Sequence, residues 1–231
     1  MQYTWLLFDA DGTLFDYDAA EYQALRLTFA EFEIRFDPQT HKIYREVNTQ
    51  MWLDFEQGTT TAARIKTERF TRLFDKLRSD GLAVANVDSL EFSNRYLGNL
   101  GACTDLMPGA ESVLQKLQSG FRLALITNGL TVVQRARLSH SGLGSFFEAV
   151  VISDEEGVSK PDPAIFQIAF DRMGDPDKKE VLMIGDSLTS DIRGANAFGI
   201  DACWYNPEGK RPIPGVHFEY EIRSLTELLT L

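Results

Sequence analysis

From about Met107 to Tyr205 the chain alternates short apolar runs with longer amphipathic ones, and that rhythm allows few folds. Strands are expected at Arg122 to Ile126, Ala149 to Ser153, Val181 to Ile184 and Ala202 to Tyr205, with helices at Val132 to His140, Ala164 to Met173 and Asp191 to Phe198. Strands separated by helices of this length pair in parallel, so the reading is an α/β, Rossmann-like parallel sheet sandwiched by helices. Tyr3 to Phe8 has the length and composition of one more buried strand, and it ends in Asp9-Ala10-Asp11-Gly12-Thr13. Asp9 then falls at the carboxyl end of a strand, where open α/β sheets bind ligands.

Between that strand and the rest lies a segment of different character. About Ala19 to about Leu100 shows helical periodicity only. Asp37-Pro38 reads as a cap followed by a first-turn proline, Gly58 ends the segment holding Met51 to Phe55, Thr59 to Thr61 supply a new cap, and Gly81 closes the next helix. The expected organisation is a core of residues 1–16 and 101–231 interrupted by an inserted α-helical cap domain, residues 17–100. Tyr22 and Phe55 are expected in the core of that insertion. Glu208 to Gly215 reads as a surface loop, and Ser224-Leu225-Thr226-Glu227 as a capping box opening a short terminal helix.

Strand ends carry the polar residues that matter. On a strand Asp9 and Asp11 would share a face, but Gly12 signals a turn that lets them do different things; alone, such a pair also suits a turn or a helix cap. Thr127-Asn128-Gly129 offers a hydroxyl and an amide to phosphate oxygens, or a cap to the next helix. Ser159-Lys160-Pro161-Asp162-Pro163 stiffens a lysine able to neutralise a phosphoryl group, or leaves it solvated on the surface. Gly185-Asp186 places another acid directly after a strand, and Asp191 either joins it or decorates the first turn of a helix.

These clusters, in this order, resemble the motifs of the haloacid dehalogenase superfamily of phosphotransferases: Asp9-Ala10-Asp11-Gly12-Thr13 is similar to the first, Thr127-Asn128 to the second, Lys160-Pro161 to the third, and Gly185-Asp186 with Asp191 to the fourth. The helical insertion would be the family's type-one cap. The resemblance implies Mg²⁺-dependent hydrolysis of a phosphomonoester through an aspartyl-phosphate. Asp9 would be the nucleophile and Asp11 the general acid and base. Thr127, Asn128 and Lys160 would bind phosphate; Asp9, the Asp11 carbonyl and Asp186 would hold the metal; Asp191 would act from behind them. Asp11 argues against the dehalogenase branch, which has no leaving alcohol to protonate.

Details of the first motif and the insertion look like the bacterial pyrimidine 5′-nucleotidase branch; sugar-phosphate and phosphoglycolate phosphatases are the alternative. Asn48 and Trp52, four apart on a helix, could hold a base, and Arg69 could reach a phosphate; packing and helix solvation are the plainer readings. A receiver-like phosphoacceptor or a non-catalytic binding protein would be readings of another class, each disfavoured by the full acidic set, and the first also by the long insertion.

Composition narrows the partners. A net charge of −11, with scattered basic residues, disfavours nucleic acid polymers and leaves a small phosphate ester as the expected partner. Cys103 and Cys203 lack metal-like spacing and are expected free and reduced. No run reaches the length of a membrane span, so a cytoplasmic monomer or homodimer with no membrane partner is expected.

Overall fold

A computed structural model describes residues 3–82 and 87–230 of the 231-residue chain. The chain folds as two compact units, Met1–Tyr17 with Thr104–Leu231, and Asp18–Cys103.

The first unit is built on strand β1 (Trp5–Phe8). After it come helices α1 (Tyr17–Glu31), α2 (Pro38–Glu56), α3 (Ala62–Ser79) and α4 (Ser89–Ala102), of which all but Tyr17 belong to the second unit. The chain continues through α5 (Ala110–Leu117), β2 (Arg122–Thr127), α6 (Thr131–Ser141), β3 (Ala149–Ile152), α7 (Ser153–Glu156), α8 (Pro163–Met173), β4 (Val181–Gly185), α9 (Arg193–Phe198), β5 (Asp201–Tyr205) and β6 (Tyr220–Ile222). The sheet order is β3-β2-β1-β4-β5-β6, every neighbour parallel. Successive crossovers run outward from β1 in both directions, so the carboxyl end of β1 lies at the point where strand order reverses.

All four residues of β1 are buried, as a central parallel strand covered on both faces requires. Side chains alternate between two cores. Trp5 and Leu7 join Ile126, Val151, Phe166, Phe170, Met183 and Trp204 on one face, while Leu6 and Phe8 join Leu114, Leu125, Leu138, Ile184 and Tyr205 on the other.

In the helical unit, Asp37 caps α2 by accepting from the Thr40 N–H at 2.9 Å, and Thr61 caps α3. Its interior is aromatic: Phe70 packs on Phe92 and Tyr96, with centroids 4.8 and 5.0 Å apart, and Phe92 also packs edge-on to Phe29. Two expectations fail here. Tyr22 is 48% exposed, because the buried stripe of α1 runs through Ala20, Glu21, Ala24, Leu25, Thr28 and Phe29 and leaves position 22 outside it. Phe55, near the end of α2, is only partly buried.

Three of the labelled elements, α5, the single-turn α7 and β6, are additions to what the sequence led one to expect. α5 starts at a Gly109 with no side-chain cap, and β6 is three residues long and partly exposed. The expected helix from Asp191 begins instead as a single π turn, Leu188–Ile192, before α9. The terminal segment is a 3₁₀ helix, Leu225–Thr230, at whose start Glu227 accepts from the Ser224 N–H at 2.8 Å. Among the described residues no helix is long and apolar enough to cross a membrane.

Candidate active site

Asp9 leaves β1 with its N–H bonded to the Ile184 carbonyl at 2.9 Å, which fixes it between the ends of β1 and β4. Its carboxylate accepts from Lys160 Nζ at 2.6 Å and from the Thr13 hydroxyl at 3.2 Å. Lys160 also donates to Asp191 Oδ1 at 2.7 Å and to the Ile126 carbonyl at 2.9 Å, so all three of its protons are committed. At 1% exposure it is no surface lysine.

Asn128 does something the sequence did not suggest. Its Nδ2 donates to the Lys160 carbonyl and its Oδ1 accepts from the Lys160 N–H, both at 2.8 Å, so the amide clamps the lysine's backbone. Thr127 is buried, and its Oγ1 accepts from the Gly129 N–H at 3.1 Å. Its hydroxyl proton meets no acceptor among the described residues.

Asp191 sits within the π turn, buried, with Oδ2 accepting from the Ser187 N–H at 3.0 Å. It bonds Lys160 directly, so decoration of a helix turn is not its place. Asp186 faces the same space, and its carboxylate has no hydrogen bond among the described residues. The Asp186 backbone is fixed by Trp204, whose Nε1 donates to its carbonyl at 3.0 Å. Gly12 makes the approach of the first loop to Asp186 feasible: its φ is +87°, and a Cβ there would lie 2.7 Å from Asp186 Oδ2.

Oxygens of Asp9, Asp186 and Asp191 lie within 4.8 Å of one another. Three carboxylates gather near one ammonium that bonds two of them, and the proton affinities follow. Burial pushes Asp9 up to about 7 despite Lys160, with the charges of Asp191 and Asp11 adding to the rise. Burial, then the charges of Asp9 and Asp191, hold Asp186 well above the usual carboxylate range. Lys160 is raised, its two carboxylate partners outweighing its burial. A partnerless carboxylate beside this excess of negative charge fits a hard, oxygen-seeking divalent cation.

Asp11 stands apart from that cluster. Its Oδ2 accepts from Gln134 Nε2 at 2.5 Å and its Oδ1 is bonded to the Arg137 guanidinium. Neither α6 residue was anticipated, because a polar residue buried on a helix face gives no signal until its partner is located; Ser187 was not anticipated either, and Thr13 was read as part of the first motif with no role of its own.

In the helical unit Asn48 and Arg69 come together. Arg69 donates to Asn48 Oδ1 and Asn48 Nδ2 donates to Glu21 Oε2, each at 3.1 Å, and the guanidinium lies 4.9 Å from the Tyr96 ring centroid. Arg69 is 1% exposed, which corrects the reading of a residue solvating its helix. Trp52 is not in this network; it packs edge-on to Phe55 at 5.5 Å and keeps part of its surface accessible.

Lys160 gives a direct test of this geometry. Lys160→Met leaves Asp9 and Asp191 buried without their shared cation, so urea unfolding of metal-free protein at neutral pH should show a loss of about 3–5 kcal/mol. A loss below about 1 kcal/mol would mean that the ion pairs do not hold the site together.

The family model for haloacid dehalogenase-like hydrolases matches residues 3–199. The pyrimidine 5′-nucleotidase YjjG of Escherichia coli K12 is 32% identical over 228 residues, covering 99% of this chain and 97% of its own. The pyrimidine 5′-nucleotidase PynA of Streptococcus pneumoniae R6 is 35% identical over 231 residues, 99% of this chain and 94% of its own. A crystal structure of the HAD-hydrolase YfnB from Bacillus subtilis, bound to magnesium, superposes with a TM-score of 0.91 at 35% identity, over 100% of this chain and 98% of that one. The matched region contains every strand-end cluster from Asp9 to Asp191, and with that family match and relatives above 30% identity over nearly its whole length this chain belongs to the haloacid dehalogenase-like hydrolases.

Proposed function

We propose that the protein is a phosphomonoesterase working through an aspartyl-phosphate on Asp9, and that its substrates are pyrimidine nucleoside 5′-monophosphates. The observation that carries the chemistry is the unequal treatment of two carboxylates two residues apart. Asp9 is held by Lys160 and Thr13 within the acidic cluster, and Asp11 is held by Gln134 and Arg137 outside it. Different partners suit different roles.

In the first half-reaction an Asp9 oxygen attacks phosphorus, the bond from phosphorus to the ester oxygen breaks, and protonated Asp11 gives that oxygen its proton. In the second, Asp11 takes a proton from water as the water attacks the phosphorus of the aspartyl-phosphate, which frees Asp9 and restores Asp11. The Thr127 hydroxyl, whose proton has no acceptor among the described residues, would donate to a phosphoryl oxygen. Lys160 steadies Asp9, and any contact it makes with phosphate replaces one of its present bonds. Asn128, which clamps Lys160, contributes to phosphate binding chiefly by placing that lysine; Asp191 orients it from the other side. Asp9, Asp186 and the backbone carbonyl of Asp11 are the residues that would hold Mg²⁺. Bound there, the ion supplies positive charge that offsets the repulsion between an anionic nucleophile and an anionic substrate.

Substrate class rests on the likeness to YjjG and PynA together with the helical unit. Trp52, which keeps part of its ring accessible, is the residue proposed to stack on a base, whereas Asn48 and Arg69 hold each other and Glu21 in place. Phosphate release from nucleotides, hexose phosphates and phosphoglycolate tests the assignment. A pyrimidine nucleotide should give the highest kcat/KM, and Trp52→Ala should raise its KM by about 5- to 100-fold through lost stacking while sparing p-nitrophenyl phosphate. Higher kcat/KM for phosphoglycolate or a hexose phosphate than for every pyrimidine nucleotide would reject the substrate class in favour of that alternative.

A further inference from the structure

Helix α6 grips the loop that carries both proposed catalytic aspartates. Gln134 and Arg137 are three residues apart, share one helix face and are fully buried, and between them they bond both oxygens of Asp11. Arg137 also lies 4.4 Å from the centroid of the Phe15 ring. Phe15 closes the same loop, its N–H bonding the Ala10 carbonyl and its carbonyl accepting from the Gly12 N–H, each at 2.9 Å. Space for Gln134 depends on Gly129, where a Cβ would lie 2.1 Å from Nε2.

An amide and a guanidinium are costly to bury, and well-packed apolar side chains often replace buried ion pairs without loss of stability. What apolar residues cannot do is fix a carboxylate in one orientation. Asp11 keeps a quarter of its side chain accessible (25%) while its back is held by wholly buried donors, an arrangement that presents a carboxyl group in a set direction.

We propose that Gln134 and Arg137 are positioning residues that aim Asp11 at the leaving oxygen, and so set how well the enzyme cleaves esters with poor leaving groups. This rests on the acid and base role given to Asp11 above. Removing either donor lets the carboxyl group wander, which harms substrates needing a proton on the leaving oxygen more than an activated aryl phosphate.

The test compares deoxyuridine monophosphate with p-nitrophenyl phosphate in Gln134→Met, Arg137→Met, Arg137→Lys and Asp11→Asn, with melting temperature measured alongside. The ratio of kcat/KM for the nucleotide to that for the aryl phosphate should fall about 10-fold or more in both Met variants, through kcat rather than KM. Arg137→Lys should recover part of the ratio, keeping the charge without the planar fork. Should Arg137→Met fail to fold, Gln134→Met and Arg137→Lys carry the comparison. A ratio within about threefold of wild type in Gln134→Met and Arg137→Lys, while Asp11→Asn lowers it, overturns the positioning role and leaves the Asp11 assignment standing. If Asp11→Asn also leaves the ratio unmoved, both fall together.

Discussion

Asp9→Asn is expected to lower kcat by at least about 10³-fold with the fold intact, because the amide keeps the shape of the carboxylate and loses its attacking charge. Folding should tolerate the change. Asp9 is an acid whose affinity for its proton is raised in the folded state, to about 7, mainly by burial. Such a group contributes most to stability below its unfolded pKa, and that contribution is lost as pH rises from about 4 to about 7. A neutral side chain at position 9 removes this dependence, so the metal-free variant should be at least as stable as wild type at pH 8. Activity within tenfold of wild type would refute the nucleophile. A collapse of the fold at pH 8 would show that the Asp9 carboxylate is a structural partner of Lys160 first.

Metal removal should be as severe. Exhaustive chelation is expected to reduce turnover to background, Mg²⁺ to restore it, and Ca²⁺, larger and looser in its geometry, to restore much less. The same acids make metal binding pH-dependent, since protons compete for Asp9 and Asp186, both raised by burial. The gain in melting temperature on adding Mg²⁺ should therefore be larger at pH 8 than at pH 6. Undiminished turnover after chelation, or a gain independent of pH, would mean that the cluster does not hold a cation.

The legible parts of this protein were those where one physical cause dominates. Buried parallel strands read as unbroken apolar runs, so β1, β2, β3, β4 and β5 stand out, as does an acid closing β1 or β4. Helix α2 announced itself through Asp37-Pro38, because a cap and a first-turn proline act locally. What stayed hidden depends on distant partners. β6 is Tyr-Glu-Ile, too short and too exposed to carry a pattern, and it exists as a strand by pairing with β5. Gln134 and Arg137 look like the polar face of α6 until Asp11 is found opposite them. Arg69 looks solvated until Asn48 and Tyr96 enclose it, and Asn128 looks like a phosphate ligand until the Lys160 backbone takes both ends of its amide. Tyr22 misled for the opposite reason: the buried stripe of α1 includes Glu21, a residue that hydrophobicity alone would place outside.

The proposed phosphorylated intermediate can be sought directly. Protein quenched during turnover of deoxyuridine monophosphate and reduced with borohydride, which converts an acyl phosphate to the alcohol, should yield homoserine in place of Asp9 when its peptides are sequenced by mass spectrometry. With p-nitrophenyl phosphate, whose leaving oxygen needs little help from an acid, Asp11→Asn, slowed in dephosphorylation, should raise the yield. Turnover with unmodified Asp9, or homoserine at any other aspartate, would contradict the account.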